Sequence, residues 1–109
     1  MNATKLLIAF VDEQDRWGNE PLYQSLLDRF TEHELAGAVA LPGIGAFGSG
    51  RIVEGIEGYA RTHPIAVMAI DSEEKLREVL PEIRPMVAGS LMILTDVEML
   101  ASASPALVS

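Results

Sequence analysis

Glycine residues are concentrated in one part of the chain, between Pro42 and Pro64. Six of the nine glycines lie there, namely Gly43, Gly45, Gly48, Gly50, Gly55 and Gly58. Glycine lets backbone N–H groups approach a phosphate or carboxylate closely, and Arg51 would add a positive charge beside them. Connections of this length are usually functional or mobile. The pattern therefore predicts either a site for a small anion or a loop whose glycines only permit turns with positive φ.

Residues Gly43 to Gly48 also match the Gly-x-Gly-x-x-Gly fingerprint of dinucleotide-binding folds. The match follows a predicted strand, and Asp71 lies at about the expected distance after it. A chain of 109 residues is nevertheless too short for the two-lobed dinucleotide fold. We therefore interpret the segment as a loop that orders on binding, because Gly55 and Gly58 would each weaken a short helix there by about 1 kcal/mol.

The remaining polar residues offer no pattern typical of catalysis. His33 and His63 are the only histidines, and we expect each to be exposed rather than to act as a ligand or base. No serine lies in a nucleophile-elbow pattern, and the absence of cysteine excludes thiolate nucleophiles and sulfur-ligated metals. Asp12, Glu13 and Asp15 lack calcium-loop spacing, so we expect a solvated loop, with a hard cation as the less favoured alternative. The sequence predicts no catalytic residue, no metal site and no enzymatic activity.

The composition is that of a globular protein with one domain. Apolar residues make up 49% of the chain and charged residues 22%. The net charge of -8 argues against nonspecific binding to nucleic acid or to anionic membranes. The first apolar run, Leu6 to Val11, is too short for a signal peptide or a membrane span, so we expect no membrane insertion. The expected location is cytoplasmic.

The hydrophobic pattern predicts two strand–helix–strand units. Strands are predicted over 6–11, 38–41, 65–70 and 91 to about 99; one helix runs from an Asn19 cap to about His33, and the other from an Asp71 or Ser72 cap to Pro85. This order predicts an α+β, ferredoxin-like βαββαβ sandwich: a four-stranded antiparallel sheet with two helices on one face. We expect a single domain over 1–100, with a long glycine-rich loop at 43–64 and a flexible tail at 101–109.

The first and third strands are apolar on both faces, which has a consequence for assembly. Two helices cover only one face of such a sheet, whereas Leu6, Ile8 and Phe10 alternate with Leu7, Ala9 and Val11. Leaving about eight such groups in water would forfeit roughly 10–20 kcal/mol. The pattern therefore predicts that other subunits cover the second face.

A series of short motifs runs through these elements. It comprises Asp15-Arg16-Trp17, Pro21-Leu22-Tyr23, Ala36-Gly37-Ala38, Gly43 to Gly48 ending in Phe47-Gly48, Arg51-Ile52, Pro64 to Ile70 and Asp71-Ser72-Glu73-Glu74-Lys75. Over roughly residues 4–99, the chain resembles the bacterial family called domain of unknown function 190, which is PII-like and falls in the PII/GlnB-like superfamily.

The resemblance implies a signalling homotrimer whose sheets face inward, with a loop projecting between the second and third strands. In such proteins a small anionic effector, commonly an adenine nucleotide, binds between subunits near the base of the loop. The resemblance implies ligand binding by Gly43, Gly45, Phe47, Gly48, Arg51, Gly89 and Ser90. It also implies that the loop regulates a protein partner, often a membrane ion transporter, with partner contacts at Arg51, Glu54, Tyr59 and Arg61.

Two departures from the family pattern lower the positive charge near the implied ligand site. Pro42 stands where an arginine usually precedes Gly43, and no lysine lies next to Gly89. These losses favour an effector with less charge than a triphosphate, or none. Three hypotheses remain: a signalling trimer with a small anionic effector, a constitutive trimeric adaptor without one, and, ranked lowest, a small enzyme.

Overall fold

The computed structural model of the chain describes residues 3–43 and 63–101. Within these ranges the elements follow the predicted order, with one short hairpin added after the first strand. They are β1 Thr4–Asp12, β2 Arg16–Trp17, β3 Glu20–Pro21, α1 Leu22–Glu32, β4 Gly37–Pro42, β5 Pro64–Ser72, α2 Glu73–Ile83 and β6 Leu91–Asp96. No helix in this part of the chain is long and apolar enough to cross a membrane.

The main sheet has four strands in the order β4-β5-β1-β6, and every neighbouring pair is antiparallel. The two central strands, β1 and β5, are the longest, at 9 residues each. They are also the strands that the sequence predicts to be apolar on both faces. The α+β, ferredoxin-like arrangement expected from the hydrophobic pattern is confirmed.

Both helices pack on the same face of this sheet. Alternate residues of the central strands point toward the helices and are buried, as the two-residue period of a strand requires. The helices contribute apolar residues spaced three and four apart. The resulting core includes Leu7, Ala9, Val11, Leu22, Leu26, Phe30, Ile65, Val67, Ala69, Leu76, Val79, Leu80 and Ile83.

The start of α1 differs from the prediction that Asn19 caps it. The helix begins at Leu22 after Pro21, and no side chain caps its first turn. Glu20 and Pro21 instead pair with the strand Arg16–Trp17, and the Leu22 amide donates to the Asp15 carbonyl at 2.8 Å. The prediction was wrong because the hairpin uses the backbone groups that a helix starting at Asn19 would need.

The start of α2 confirms one of the two predicted caps. The Ser72 hydroxyl accepts a hydrogen bond from the Lys75 amide at 3.3 Å. Asp71, the other candidate, is only 2% exposed, and its carboxylate accepts hydrogen bonds from the amides of Ala36 and Ser72. Lys75 in turn donates to the carbonyl of Glu34, which has a φ of 54°. Asp71 therefore connects the turn before β4 to the start of α2.

We expect Asp71→Ala to lower the free energy of unfolding by about 1.5–3 kcal/mol, because it leaves the partly buried Ala36 amide without its charged acceptor. Urea unfolding followed by circular dichroism measures the change. Glu74→Ala is the matched control, since Glu74 is an exposed carboxylate in the first turn of the same helix. Equal losses in the two variants would contradict the positioning role of Asp71.

Candidate functional site

The base of the glycine-rich segment is closed by backbone pairing between β4 and β5. Pro42 lies opposite Ile65 in the register, and the Gly43 amide donates to the Pro64 carbonyl at 2.8 Å. Proline is tolerated at both points, because Pro42 ends an edge strand and Pro64 begins its strand. The amide of Gly43, expected to face an anion, is therefore hydrogen-bonded within the loop base.

The turn before β6 contains the other two described ligand candidates. Met86 and Val87 anchor this turn in the core. Gly89 has a φ of 88°, a conformation that glycine adopts without steric penalty. The Ser90 amide donates to the Val87 carbonyl at 2.9 Å, which fixes the turn immediately before the strand begins.

The strand register brings these parts to the same end of the sheet. Leu41, Ala66, Phe10 and Leu91 lie opposite one another across the four strands, and Gly43 and Ser90 are just beyond this row. We call this end, marked by the row Leu41–Ala66–Phe10–Leu91, the loop end of the sheet.

Within the loop end, the ligand candidates of one subunit are far apart. Gly43 follows β4 and Ser90 precedes β6, and these strands are the two opposite edges of the sheet. Three strand spacings separate the edges by roughly 14 Å. A single small anion contacts groups about 3 Å away. One subunit therefore does not bring Gly43 and Ser90 onto the same phosphate or carboxylate.

The other ligand candidates predicted from the sequence lie outside the described residues. They are Gly45, Phe47, Gly48 and Arg51. The remaining partner-binding candidates, Glu54, Tyr59 and Arg61, lie outside them as well.

The acidic cluster shapes the chain at the loop end. The Asp15 carboxylate accepts from the Asp12 amide at 3.0 Å, and the Asp12 carboxylate accepts from the Gln14 amide at 2.7 Å. The Glu13 amide donates to the His63 carbonyl at 2.8 Å, which ties this turn to the loop base. Among residues 3–43 and 63–101, no group of three or more His, Cys, Asp or Glu side chains is arranged to hold a metal ion.

Both histidines have glutamate partners. His63 is exposed, and its Nδ1 lies 3.6 Å from the Glu13 carboxylate. His33 is half-buried rather than exposed, and its Nε2 lies 2.5 Å from a Glu82 oxygen. Arg29 approaches the same glutamate at 3.7 Å, so the three side chains join α1 to α2.

The face of the sheet opposite the helices is apolar and has no covering element in the described structure. We call it the open face. It consists of three rows of four residues across β4, β5, β1 and β6: Gly37–Ile70–Leu6–Thr95, Val39–Met68–Ile8–Ile93 and Leu41–Ala66–Phe10–Leu91.

None of these twelve side chains is charged, and several on the edge strands are large and exposed. Val39 is 43% exposed, Leu41 46%, Leu91 43% and Ile93 40%. The hydrophobic pattern of the sequence predicted the β1 side chains of this face but not these side chains on the edge strands. Every second residue of 37–42 and 91–96 lies on this face. The register of the two edge strands would therefore have identified these side chains.

Charged side chains collect at the opposite end of the sheet, on the helix side. The Lys5 ammonium group donates a hydrogen bond to the Asp96 carboxylate, and its Nζ lies 3.7 Å from a Glu73 carboxylate oxygen. The Glu73 carboxylate also accepts a hydrogen bond from Arg77 Nε at 2.7 Å. The hydrogen bond to Asp96 raises the pKa of Lys5, and the one from Arg77 lowers the pKa of Glu73. These ion pairs tie β1, β6 and α2 together without placing a charge on the open face.

We expect Asp15→Ala to lower the free energy of unfolding by about 1 kcal/mol, because the Asp12 amide loses its acceptor. Added CaCl2 or MgCl2 is expected to leave the melting temperature of the unmodified protein unchanged. Thermal unfolding by circular dichroism measures both effects, and Glu20→Ala, an exposed carboxylate in the same hairpin, serves as control. A rise in melting temperature with either cation that Asp15→Ala removes would show a cation site instead.

Comparison with known proteins gives one family and a consistent fold. The family model DUF190, described as "Uncharacterized ACR, COG1993", matches residues 4–99. A UPF0166 protein of Aquifex aeolicus is 33% identical over 98 residues, covering 88% of this chain and 92% of that protein. A UPF0166 protein of Methanocaldococcus jannaschii is 26% identical over 98 residues, covering 88% of this chain and 91% of the relative.

Two solved structures share the fold at low sequence identity. A functionally unknown protein from Pediococcus pentosaceus superposes with a TM-score of 0.61 at 21% identity, covering 93% of this chain and 98% of that one. The divalent ion tolerance protein CutA1 from Ehrlichia chaffeensis superposes with a TM-score of 0.53 at 9% identity, covering 93% and 87%. The family resemblance seen in the short motifs is confirmed: the chain belongs to the DUF190 family.

Proposed function

We propose that this chain is a PII-like regulatory protein that works as a homotrimer in the cytoplasm without catalysing a reaction. A small anionic effector, such as an adenine nucleotide, binds between subunits at the loop end. The segment 43–64 then acts on a protein partner, for which a membrane ion transporter is the favoured class. The observation that carries the proposal is the uncharged apolar open face, which ends where the loop base and the turn before β6 lie.

The open face supports the assembly. Large contiguous apolar patches are rare on monomeric proteins and commonly mark interfaces. Val39 and Ile93 lie on opposite edge strands of the sheet and are 43% and 40% exposed. The apolar patch therefore extends across the full width of the sheet. The resemblance to PII-like proteins provides the number of copies, which is three.

Trimer symmetry supports an effector site between subunits. A closed ring of three identical copies uses a heterologous interface, in which two different patches of the subunit meet. The edge strand β4 of one copy then meets the region of β6 on the next copy. Gly43 and Ser90, which lie on opposite edges within one subunit, would in that arrangement lie on the two sides of one interface.

The charge at the loop end selects the class of effector. Asp12, Glu13 and Asp15 lie in the turn that is hydrogen-bonded to the loop base. Pro42 occupies the position before Gly43 and brings no positive charge. Carboxylates close to the site oppose a highly charged anion, so the proposed effector has fewer negative charges than a triphosphate.

A constitutive trimeric adaptor is the second candidate function, and one specific observation favours it. The amides of Gly43 and Ser90 already donate to Pro64 and Val87, at 2.8 and 2.9 Å. Neither is available to an anion unless the loop base or the turn rearranges. An adaptor would use the segment 43–64 for docking only.

The effector is tested by titration calorimetry with AMP, ADP, ATP and inorganic phosphate against the unmodified protein. We expect AMP or ADP to bind with one site per subunit and more tightly than ATP. Gly89→Ala should weaken that binding about tenfold, a change of about 1.4 kcal/mol. Gly18→Ala is the matched control, because Gly18 also has positive φ, at 66° compared with 88° for Gly89, but lies in the hairpin. No heat with any of the four compounds would leave the adaptor as the function.

The assembly is tested by sedimentation equilibrium. The unmodified protein is expected to have three times the chain mass of 11.8 kDa. Ile93→Asp should dissociate it, because the interface would have to bury an unpaired carboxylate. Gln24→Asp, which places the same charge on the exposed side of α1, should leave the trimer intact. A monomeric unmodified protein, or a trimeric Ile93→Asp variant, would contradict the proposed interface.

A further inference from the structure

The open face contains an apolar depression at the end away from the loop. Its volume is about 260 Å³, and it is lined by Leu6 of β1, Gly37 and Val39 of β4, and Met68 and Ile70 of β5. An apolar cavity of about 150 Å³ is large enough to hold benzene. The depression therefore has room for a side chain as large as leucine.

Gly37 helps to form this depression, because it has no side chain in a row where Ile70 and Leu6 have large ones. A Cβ atom at Gly37 would lie 3.1 Å from Ile70 Cγ2, closer than an ordinary contact. A larger residue at this position would need to displace Ile70. The packing of the two strands thus keeps the depression open while surrounding it with apolar atoms.

The chain leaves the sheet at the same end. Val97 makes the last backbone bond of this edge, its amide donating to the Thr4 carbonyl at 3.3 Å. Thr95, two residues earlier, lies in the same row of the open face as Leu6, Ile70 and Gly37. Leu100, in the segment that follows, is 87% exposed and therefore places an apolar side chain in solvent.

The segment that follows β6 matches the open face in polarity. Of its thirteen residues, 97–109, only Glu98 is charged, and eight are apolar: Val97, Met99, Leu100, Ala101, Ala103, Ala106, Leu107 and Val108. The distance across the sheet from Thr95 to Gly37 is roughly 14 Å, three strand spacings. An extended chain covers about 3.3 Å per residue, so residues 102–109 reach the depression.

We propose that residues 102–109 fold back across the open face of the same chain and that the Leu107 side chain occupies the depression. A tether of this length holds Leu107 near the depression at a high effective concentration, which favours the same chain over a second copy. Docking here covers the parts of the two rows Gly37–Ile70–Leu6–Thr95 and Val39–Met68–Ile8–Ile93 that line the depression. It leaves Ile93 on the far edge strand, and the row nearest the loop, for a neighbouring subunit. It requires neither an effector nor a trimer.

The test is disulfide formation between introduced cysteines, since the chain has none of its own. Val39→Cys combined with Leu107→Cys should form an intrachain disulfide under mild oxidation, and Met68→Cys with Leu107→Cys provides a second pair. Glu78→Cys with Leu107→Cys is the control, because Glu78 is exposed on α2 at the other face of the sheet. We expect the two open-face pairs to react about tenfold faster than the control, because burial of Val108 and of the apolar cysteine side chain would enrich the docked state by about that factor.

Equal rates for the open-face pairs and the control would overturn the proposal. Disulfides that form only between chains, seen when the single-cysteine variants are mixed, would overturn it too. A further pair, Val39→Cys with Ala106→Cys, separates apolar docking from chance proximity. Leu107→Ser and Val108→Ser added to this pair should remove its rate advantage, and a retained advantage would contradict the role of Leu107. A monomeric protein that still forms the disulfide would refute the proposed trimer and leave this docking intact.

Discussion

The pairing of β1 with β5, two strands that are apolar on both faces, is the interaction on which the structure depends. The helices cover one face with a core that includes Leu26, Phe30 and Leu76. The other face is equally uncharged but has no cover in the described structure. Exposing apolar surface to water costs about 25 cal/mol per Å². The same strand pair therefore produces both a ferredoxin-like core and an apolar surface on the opposite face of the sheet.

The two ends of the sheet have different structural roles. At the loop end, the bond between Gly43 and Pro64 closes the base of the glycine-rich segment, and the turn at Asp12 and Asp15 supports it. At the opposite end, ion pairs of Lys5 fix the central strand to β6 and α2. The twelve described side chains of the open face therefore carry no charge. This arrangement allows the open face to associate without burying an unpaired charge.

The sequence predicted the elements that depend on a local residue pattern. It did not predict the features that depend on a hydrogen bond to another part of the chain. The strand cores and the Ser72 cap follow from residues a few positions apart. The start of α1 does not, because a hairpin bond from Leu22 to Asp15 overrides the local preference for a cap. Asp71 could not be placed either, since the amide that it binds belongs to Ala36, 35 positions away. The sequence also did not show that the amides of Gly43 and Ser90, two ligand candidates, donate hydrogen bonds within the fold.

The proposed trimer buries the open face between copies of this chain in solution. Methyl NMR with a soluble paramagnetic probe measures this burial directly, because relaxation rises with the exposure of each methyl group. Leu26 is 0% exposed and Leu100 is 87% exposed, so they give the two limits. The account predicts that the Ile93 methyl groups relax nearly as slowly as those of Leu26. Relaxation enhancement of Ile93 approaching that of Leu100 would contradict it.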